Sequence, residues 1–159
     1  VKLFAQHYGL ADHAAILDVG CAKGFMLKDF SLHLPGARLA GVDISSSAIN
    51  RAEAEVAQFL QIASAEALPF EDNCFDLVIS INTIHNLDRE GCLRAFSELE
   101  RVSRGNTFVM VDGWKTEEER DLLHRWVLTA RSLLSAEDWV DLMDEAGYTG
   151  DYAFWKSLI

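Results

Sequence analysis

The sequence predicts an α/β fold, a three-layer αβα sandwich in which a mostly parallel sheet of about six strands lies between two layers of helices. Apolar runs rich in branched residues alternate with stretches of helical period along the chain. The run from Phe75 to Ile81 predicts a continuous buried strand, as in parallel sheets that are covered on both faces. Because no linker or internal repeat interrupts the alternation, we expect helices on both sides of one sheet.

The first part of the chain predicts three strands. Ala15–Val19 is the first, and the amphipathic helix that follows it is stopped by Pro35-Gly36. Leu39–Val42 is the second strand. Ser45–Ser47 offer N-caps to a helix that continues to about residue 56, and Phe59–Ala63 is the third strand.

The later part predicts three helices and two further strands. One helix begins near Asp88 and leads into the strand Thr107–Val111. A second helix has an apolar face from residue 123 to 134, and a capping box at Ser135 opens the third, which ends at Gly147. The tail Tyr152–Ile159 is an expected edge strand.

Composition limits the class of protein and its partners. The chain has 159 residues, half of them hydrophobic, which fits a single domain over residues 1–159. The net charge of −11 would repel a phosphate backbone and an anionic membrane, so we expect neither nucleic acid nor membrane as a partner. A homodimer is left open. Since the chain begins at Val1 rather than Met, the question whether an N-terminal cap segment is missing is also left open.

The cysteines and the apolar runs indicate a compartment. Cys21, Cys74 and Cys92 are odd in number and widely spaced, which fits neither a disulfide framework nor a zinc site. No apolar run approaches the roughly 20 residues of a membrane helix, and the first residues lack the pattern of a signal peptide. We therefore expect a cytoplasmic protein without a metal.

The loop after the first strand is the first candidate binding site, since ligands of such folds bind beyond the carboxyl ends of the strands. Gly20 and Gly24 allow the backbone to pass close to a ligand. The G-x-G-x-x-G pattern of dinucleotide folds is absent, and Asp18 would repel a pyrophosphate. The loop instead suits a ligand with an ammonium group and no phosphate, such as the methionine end of S-adenosylmethionine (SAM).

Asp43 is the second candidate. It ends the second strand at close to the ~20-residue spacing from the glycine loop at which a carboxylate accepts the ribose hydroxyls of a nucleoside. The alternative is that Asp43 is only the N-cap of the next helix. We favour ribose binding because the residue directly follows a buried strand.

Four segments resemble successive motifs of the class I SAM-dependent methyltransferases: ILDVGCAKG, GVDIS, ASAEALPF and CFDLVISINTIHNL. The resemblance runs from about Ala15 to Val111 and implies a Rossmann-like sheet of order 3-2-1-4-5 with a further edge strand. Ala22 departs from it by replacing a glycine, and Ser64 by replacing an aspartate that is common in the family.

The same resemblance implies SAM as cofactor, S-adenosylhomocysteine as product, and a set of cofactor-binding residues. The methionine moiety is expected near the glycine loop and Asn82, the ribose on Asp43, and the adenine beside Ile44, Ala65 and Glu66. The full expected set is Asp18, Gly20, Cys21, Ala22, Gly24, Asp43, Ile44, Ala65, Glu66, Ile81 and Asn82.

His85 is the candidate catalytic residue, because an imidazole near the cleft could take a proton from a substrate hydroxyl. The alternative is a loop histidine satisfied by backbone hydrogen bonds. Among the aromatic residues, Trp126 and Trp139 fall on apolar helix faces and are expected in the core, whereas Trp114 is the better pocket candidate.

The functional hypothesis is a methyltransferase that acts on a small-molecule acceptor. The methyl group of a sulfonium is already activated, so the enzyme need only align a nucleophile and exclude water. Two alternatives remain at this stage. The domain either binds SAM without transferring a methyl group, as a regulatory or assembly module, or is an NAD-dependent dehydrogenase, which the glycine spacing and Asp18 disfavour.

Overall fold

The branched apolar runs form a seven-stranded sheet in the computed structural model, which describes residues 1–155. The strands are β1 (Ala15–Val19), β2 (Arg38–Asp43), β3 (Leu60–Ile62), β4 (Leu77–Ile81), β5 (Thr107–Trp114), β6 (Leu134–Ser135) and β7 (Asp151–Trp155). Their order is β3-β2-β1-β4-β5-β6, β7 also pairs with β5, and the paired strands run parallel. This order confirms the predicted fold.

Helices cover both faces of the sheet. They are α1 (Lys2–His7), α2 (Phe25–His33), α3 (Ser46–Ile49), α4 (Arg89–Val102), α5 (Glu117–Trp126) and α6 (Ala136–Glu145). Successive side chains of a strand point to opposite faces. Leu17 accordingly packs in the core cluster that contains residues of α4 and α6, whereas Ile16 packs in the cluster that contains residues of α2. The two clusters are the two interfaces of the expected three-layer sandwich.

Several helix starts follow from local capping chemistry. Ser135 accepts a hydrogen bond from the Asp138 N–H at 3.0 Å and caps α6, as the capping box predicts. Asp88 caps α4 in the same way through the Gly91 N–H at 2.9 Å. No helix within residues 1–155 is long and apolar enough to cross a membrane.

Two predicted helices are shorter than expected. The helix after Ser45 ends at Ile49, and the Glu53 N–H then bonds to the Lys23 carbonyl instead of continuing it. The apolar face predicted over residues 123–134 belongs to a helix only as far as residue 126. Leu134 instead lies in β6, where it pairs with Gly113 and lengthens β5 beyond its predicted end.

The remaining differences lie at the ends of strands and of the chain. β4 begins at Leu77 rather than Phe75, because the Asp76 carboxylate accepts the Ala15 N–H at 2.8 Å and pairs with Arg104 at 2.7 Å. The helix α1 was not expected from the sequence. Of the predicted tail strand, β7 accounts for the part up to Trp155, and residues 156–159 lie outside the described residues.

Candidate functional site

A cavity of about 540 Å³ opens at the carboxyl ends of β1 to β4, where ligands bind in folds of this kind. The loops after these four strands and one arginine distant in sequence contribute to its wall. The lining residues are Gly20, Ala22, Val42, Asp43, Ile44, Ala63, Ser64, Ala65, Glu66, Ile81, Asn82, Thr83, Asn86, Leu87 and Arg131. The volume lies within the range of small-molecule sites.

Eight of the eleven expected cofactor residues lie in this wall: Gly20, Ala22, Asp43, Ile44, Ala65, Glu66, Ile81 and Asn82. The other three are not among the lining residues. Asp18 and Cys21 are buried beneath the loop, and a Cβ on Gly24 would lie 2.8 Å from a methyl carbon of Val56. These three residues support the loop by packing.

The loop after β1 has a backbone that few side chains tolerate. Gly20, Ala22 and Gly24 all have positive φ, at 84°, 47° and 82°. A Cβ on Gly20 would also lie 1.9 Å from Oγ1 of Thr83, so only glycine fits there. Ala22, at the position where the methyltransferase resemblance implied a glycine, adopts a left-handed conformation.

Asp43 connects two loops of the wall. Its Oδ2 accepts the Ala22 N–H at 2.9 Å, and its Oδ1 accepts the Ser45 N–H at 2.8 Å. The N-cap of α3 is Ser45, not Asp43, which removes the alternative explanation for this residue. An ionised carboxylate has about four acceptor positions. Asp43 is thus held rigidly and still has capacity to accept two hydroxyl groups.

Asp18 and Cys21 lie below the loop in an environment that favours their neutral forms. Burial, and secondly the charge of Asp43, raises the pKa of Asp18 to about 7. Burial together with the same two carboxylates raises the pKa of the Cys21 thiol to about 12. Cys21 is therefore a protonated thiol at neutral pH and is unsuited to act as a nucleophile.

The segments after β2 and β3 contribute an apolar and a charged residue to the wall, respectively. Ile44 lines the cavity and is 74% exposed, so its side chain can offer an apolar contact to a ligand. Glu66 is engaged by Arg94, whose Nη2 and Nε lie 2.6 and 3.0 Å from Oε2. Ser64 accepts the Glu66 N–H at 3.2 Å and so takes a structural part in this loop.

The loop after β4 contains a buried side-chain oxygen, Oδ1 of Asn86, that accepts no hydrogen bond from the described residues. Asn82 has a positive φ of 53°, and its carbonyl accepts a hydrogen bond from Nδ2 of Asn86 at 3.4 Å. The Oδ1 atom of Asn86 is buried and has no hydrogen-bond partner within the described residues. Because buried acceptors are nearly always satisfied in native proteins, this atom is able to accept a hydrogen bond from an N–H or ammonium group of a ligand or from water.

His85 lies behind the cavity wall rather than in it. Its side chain is 4% exposed, and its Nδ1 accepts the Asp112 N–H at 3.3 Å. Burial lowers the pKa of His85, and the Asp112 carboxylate, 3.7 Å from Nδ1, opposes that shift. The imidazole is therefore neutral near pH 7. Its hydrogen bond from the Asp112 N–H agrees with the alternative interpretation, a histidine that is satisfied by the backbone. Its role as a base stays a prediction.

Residues 16–106 match the family model of the methyltransferase domain. The chain belongs to this family. Its fold is that of the class I SAM-dependent methyltransferases. The match spans the glycine loop, Asp43 and the segment around Asn82, which are the parts of the wall that the sequence motifs identified.

Two curated relatives with names are longer than this chain. This chain is 34% identical over 141 residues to the tRNA (carboxymethyluridine(34)-5-O)-methyltransferase of Arabidopsis thaliana. The match covers 87% of this chain and 33% of the relative. The chain is 29% identical over 133 residues to the malonyl-(acyl-carrier protein) O-methyltransferase of Legionella pneumophila, covering 81% of this chain and 46% of the relative. The chain thus spans between a third and a half of these two curated relatives.

A solved structure supports the fold independently. The YcgJ protein of Bacillus subtilis superposes with a TM-score of 0.75 at 19% identity, covering 91% of this chain and 66% of that one. At this identity the likeness concerns the fold alone.

Seven lining residues were not in the expected cofactor set: Val42, Ala63, Ser64, Thr83, Asn86, Leu87 and Arg131. The first three lie within the motifs GVDIS and ASAEALPF. The motif that ends NTIHNL contains Thr83, Asn86 and Leu87, so a signal for them was present. Arg131 had none, because it is far in sequence from every motif and is attached to the loop after β4 by its backbone N–H and by its contact with Asp88. A distant segment of this kind has no local sequence pattern that predicts its position.

The tryptophans separate as core and surface. Trp139 is fully buried and its Nε1 donates to the Asp112 carbonyl at 2.8 Å, which confirms the expected core position. Trp114 is half-buried near His124 and is not among the residues that line the cavity. The side chain of Trp126 lies outside the described part of the chain.

Proposed function

We propose that this domain binds SAM in the cavity at the ends of β1 to β4 and transfers its methyl group to a small-molecule acceptor. The observation that carries the proposal is the Asp43 carboxylate, which lines the cavity, is fixed by two backbone N–H groups and retains two acceptor positions. A pair of vicinal ribose hydroxyls matches that capacity. SAM supplies an activated methyl group on a sulfonium.

Two further features of the wall fit the same cofactor. The exposed Ile44 side chain offers an apolar surface to an adenine ring. The buried Oδ1 of Asn86 offers an acceptor to the ammonium group of the methionine end. The raised pKa of Asp18 leaves much of this buried side chain neutral at pH 7, so its charge contributes little to the choice of ligand. Asp18, Cys21 and Gly24 then act on the cofactor through the loop that they support.

We propose a small-molecule acceptor rather than a nucleic acid because of the negative net charge of the chain. The Arabidopsis relative is named as a tRNA methyltransferase, so the family relationship itself does not exclude nucleic acid. A chain with a net charge of −11 nevertheless repels a polyanion. Both curated relatives are named for methyl transfer to oxygen, and we place oxygen first among the acceptor atoms here. The three free cysteines suit a reducing cytoplasm.

Calorimetric titration with SAM, S-adenosylhomocysteine and NAD tests the cofactor part. We expect binding of the first two and not of NAD. Asp43→Asn should weaken SAM binding about tenfold to hundredfold, since hydrogen bonds to a charged acceptor contribute roughly 1.5–3 kcal/mol. Asp29→Asn, on the exposed side of α2, is the matched control and should leave binding unchanged. NAD binding without SAM binding would reverse the assignment.

Incubation with methyl-labelled SAM distinguishes an enzyme from a binding module. The acceptors are a panel of small acids, alcohols and amines, with bulk tRNA as a separate arm. Transfer to a small molecule supports the proposal. Binding of SAM without transfer to any arm favours a regulatory or assembly module, and transfer to tRNA alone would contradict the small acceptor.

A further inference from the structure

The cofactor assignments leave part of the cavity wall unused: Thr83, Leu87 and Arg131. We propose that this part is the acceptor subsite and that it binds a carboxylate through the guanidinium of Arg131, so that the domain forms methyl esters of organic acids. The inference rests on the proposed function and names its substrate class.

Backbone hydrogen bonds fix the position of Arg131. Its N–H donates to the His85 carbonyl at 2.9 Å, and the Ser132 N–H donates to the same oxygen at 3.0 Å. The Ser132 hydroxyl donates to the Leu87 carbonyl at 2.7 Å. The segment after α5 is thereby attached to the loop after β4, and the arginine is held at the cavity rather than presented on a free loop.

The guanidinium of Arg131 retains most of its donors. It carries five N–H groups, and its contact within the described residues is to the Asp88 carboxylate at 3.3 Å. Asp88 also accepts the Gly91 N–H as the cap of α4, so it serves two partners. A planar guanidinium with free donors matches a carboxylate by two parallel hydrogen bonds.

The charges of the wall favour an anion at this point. Asp43 accepts the Ala22 N–H and is assigned to the ribose, and Glu66 is engaged by Arg94. Arg131 is the one cation among the described residues that line the cavity, and no other lining group would neutralise an acidic acceptor.

The chemistry of the wall agrees with an acid as nucleophile. The described lining residues include no histidine, lysine, cysteine or tyrosine that could remove a proton. A carboxylic acid is already ionised at neutral pH and needs no base. One carboxylate oxygen forms a bond to the methyl carbon while the carbon–sulfur bond of SAM breaks and its electron pair stays on sulfur. The products are a methyl ester and a neutral thioether, and no proton moves.

A carboxylate also occurs in the methionine part of SAM, so two sources share this chemistry. We assign Arg131 to the acceptor, because the methionine part is expected between the glycine loop and Asn82. An arginine that binds the cofactor would alter SAM affinity, whereas one that binds the acceptor would alter only the affinity for the acid.

The test uses labelled SAM with benzoate and the half-ethyl esters of malonate, succinate and glutarate, each beside its uncharged primary amide. The variants are Arg131→Gln, Arg131→Lys, and Arg125→Gln as a control on the exposed surface of α5. The first readout is labelled methanol released by alkali, which reports methyl esters. The second is the affinity of the S-adenosylhomocysteine complex for each acid and amide.

We expect ester formation from at least one acid and tighter binding of acids than amides. Arg131→Gln should raise KM and Kd for the acid about tenfold to hundredfold with unchanged SAM affinity, in line with roughly 1.5–3 kcal/mol for a charged hydrogen bond. Arg131→Lys should recover part of the loss and Arg125→Gln should match the wild type.

Three results would overturn the inference while leaving the proposed function intact. They are equal affinity for acids and amides, label transferred only to base-stable products, and a loss in Arg131→Gln that falls on SAM affinity instead. Failure of the wild type to bind SAM would refute the proposed function itself.

Discussion

Burial of Asp18 makes the stability of this domain fall as pH rises, and a substitution that removes the charge should abolish this contribution. Its pKa rises from the ordinary 3.8 to about 7, first because of burial and second because of the Asp43 charge. Below pH 3.8 the carboxyl is protonated in the folded and unfolded chains alike. Between the two values the folded chain retains a proton that the unfolded chain has released, so stability falls as pH rises.

The shift of about three units corresponds to about 4 kcal/mol at 1.36 kcal/mol per unit. Roughly half of this stabilisation, about 2 kcal/mol, should be lost as the pH rises from 5.5 to 7. The loss ends above pH 7, because Asp18 is then ionised in the folded chain as well. Asp18→Asn keeps the shape and removes the charge. The variant should therefore gain about 2 kcal/mol relative to wild type on going from pH 5.5 to 8.

Urea unfolding of both proteins at the two pH values measures this difference. Subtracting wild type from variant cancels other titrating groups such as His85, whose lowered pKa makes stability fall as pH drops below its ordinary 6.5. Asp29→Asn, exposed on α2, should show no pH-dependent difference. A difference between Asp18→Asn and wild type that is the same at pH 5.5 and 8 would refute the reasoning.

Three other substitutions test the site and its support. Gly20→Ala should destabilise the fold by at least about 2 kcal/mol in thermal unfolding, because φ is positive and the new Cβ meets Thr83; Thr83→Gly should recover part of the loss, and a neutral Gly20→Ala would contradict the loop geometry. His85→Asn should leave the turnover of an acidic acceptor and SAM affinity nearly unchanged; a large drop in turnover alone would make His85 the base after all. Trp139→Phe should cost about 1–3 kcal/mol by leaving the buried Asp112 carbonyl without its donor, and an unchanged midpoint of urea unfolding would contradict that account.

Local patterns predicted the framework of the fold well. The run Ala15–Val19 forms the first strand with the predicted bounds, and Ser135 caps its helix as its spacing to Asp138 indicates. These signals depend on residues close in sequence, and strand-helix alternation then determines a parallel sheet. The position of Asp43 at a strand end was sufficient to place it at the cavity.

Contacts between distant residues account for what the sequence did not predict. The helix α5 ends before Leu134 because later backbone groups bond to the His85 carbonyl, and no periodic pattern contains that information. For the same reason Arg131 was missed. Gly20 was predicted from the sequence to contact the ligand. The structure gives a second reason for glycine at this position, because Thr83 of a neighbouring loop lies too close for a side chain.

The structure of the domain with S-adenosylhomocysteine bound is the most direct test of the central claim. The account predicts the ribose hydroxyls at 2.5–3.0 Å from the Asp43 carboxylate, as for hydrogen bonds of this type, with the adenine against Ile44. A nucleoside that lies outside this cavity, or a ribose that makes no contact with Asp43, would contradict it.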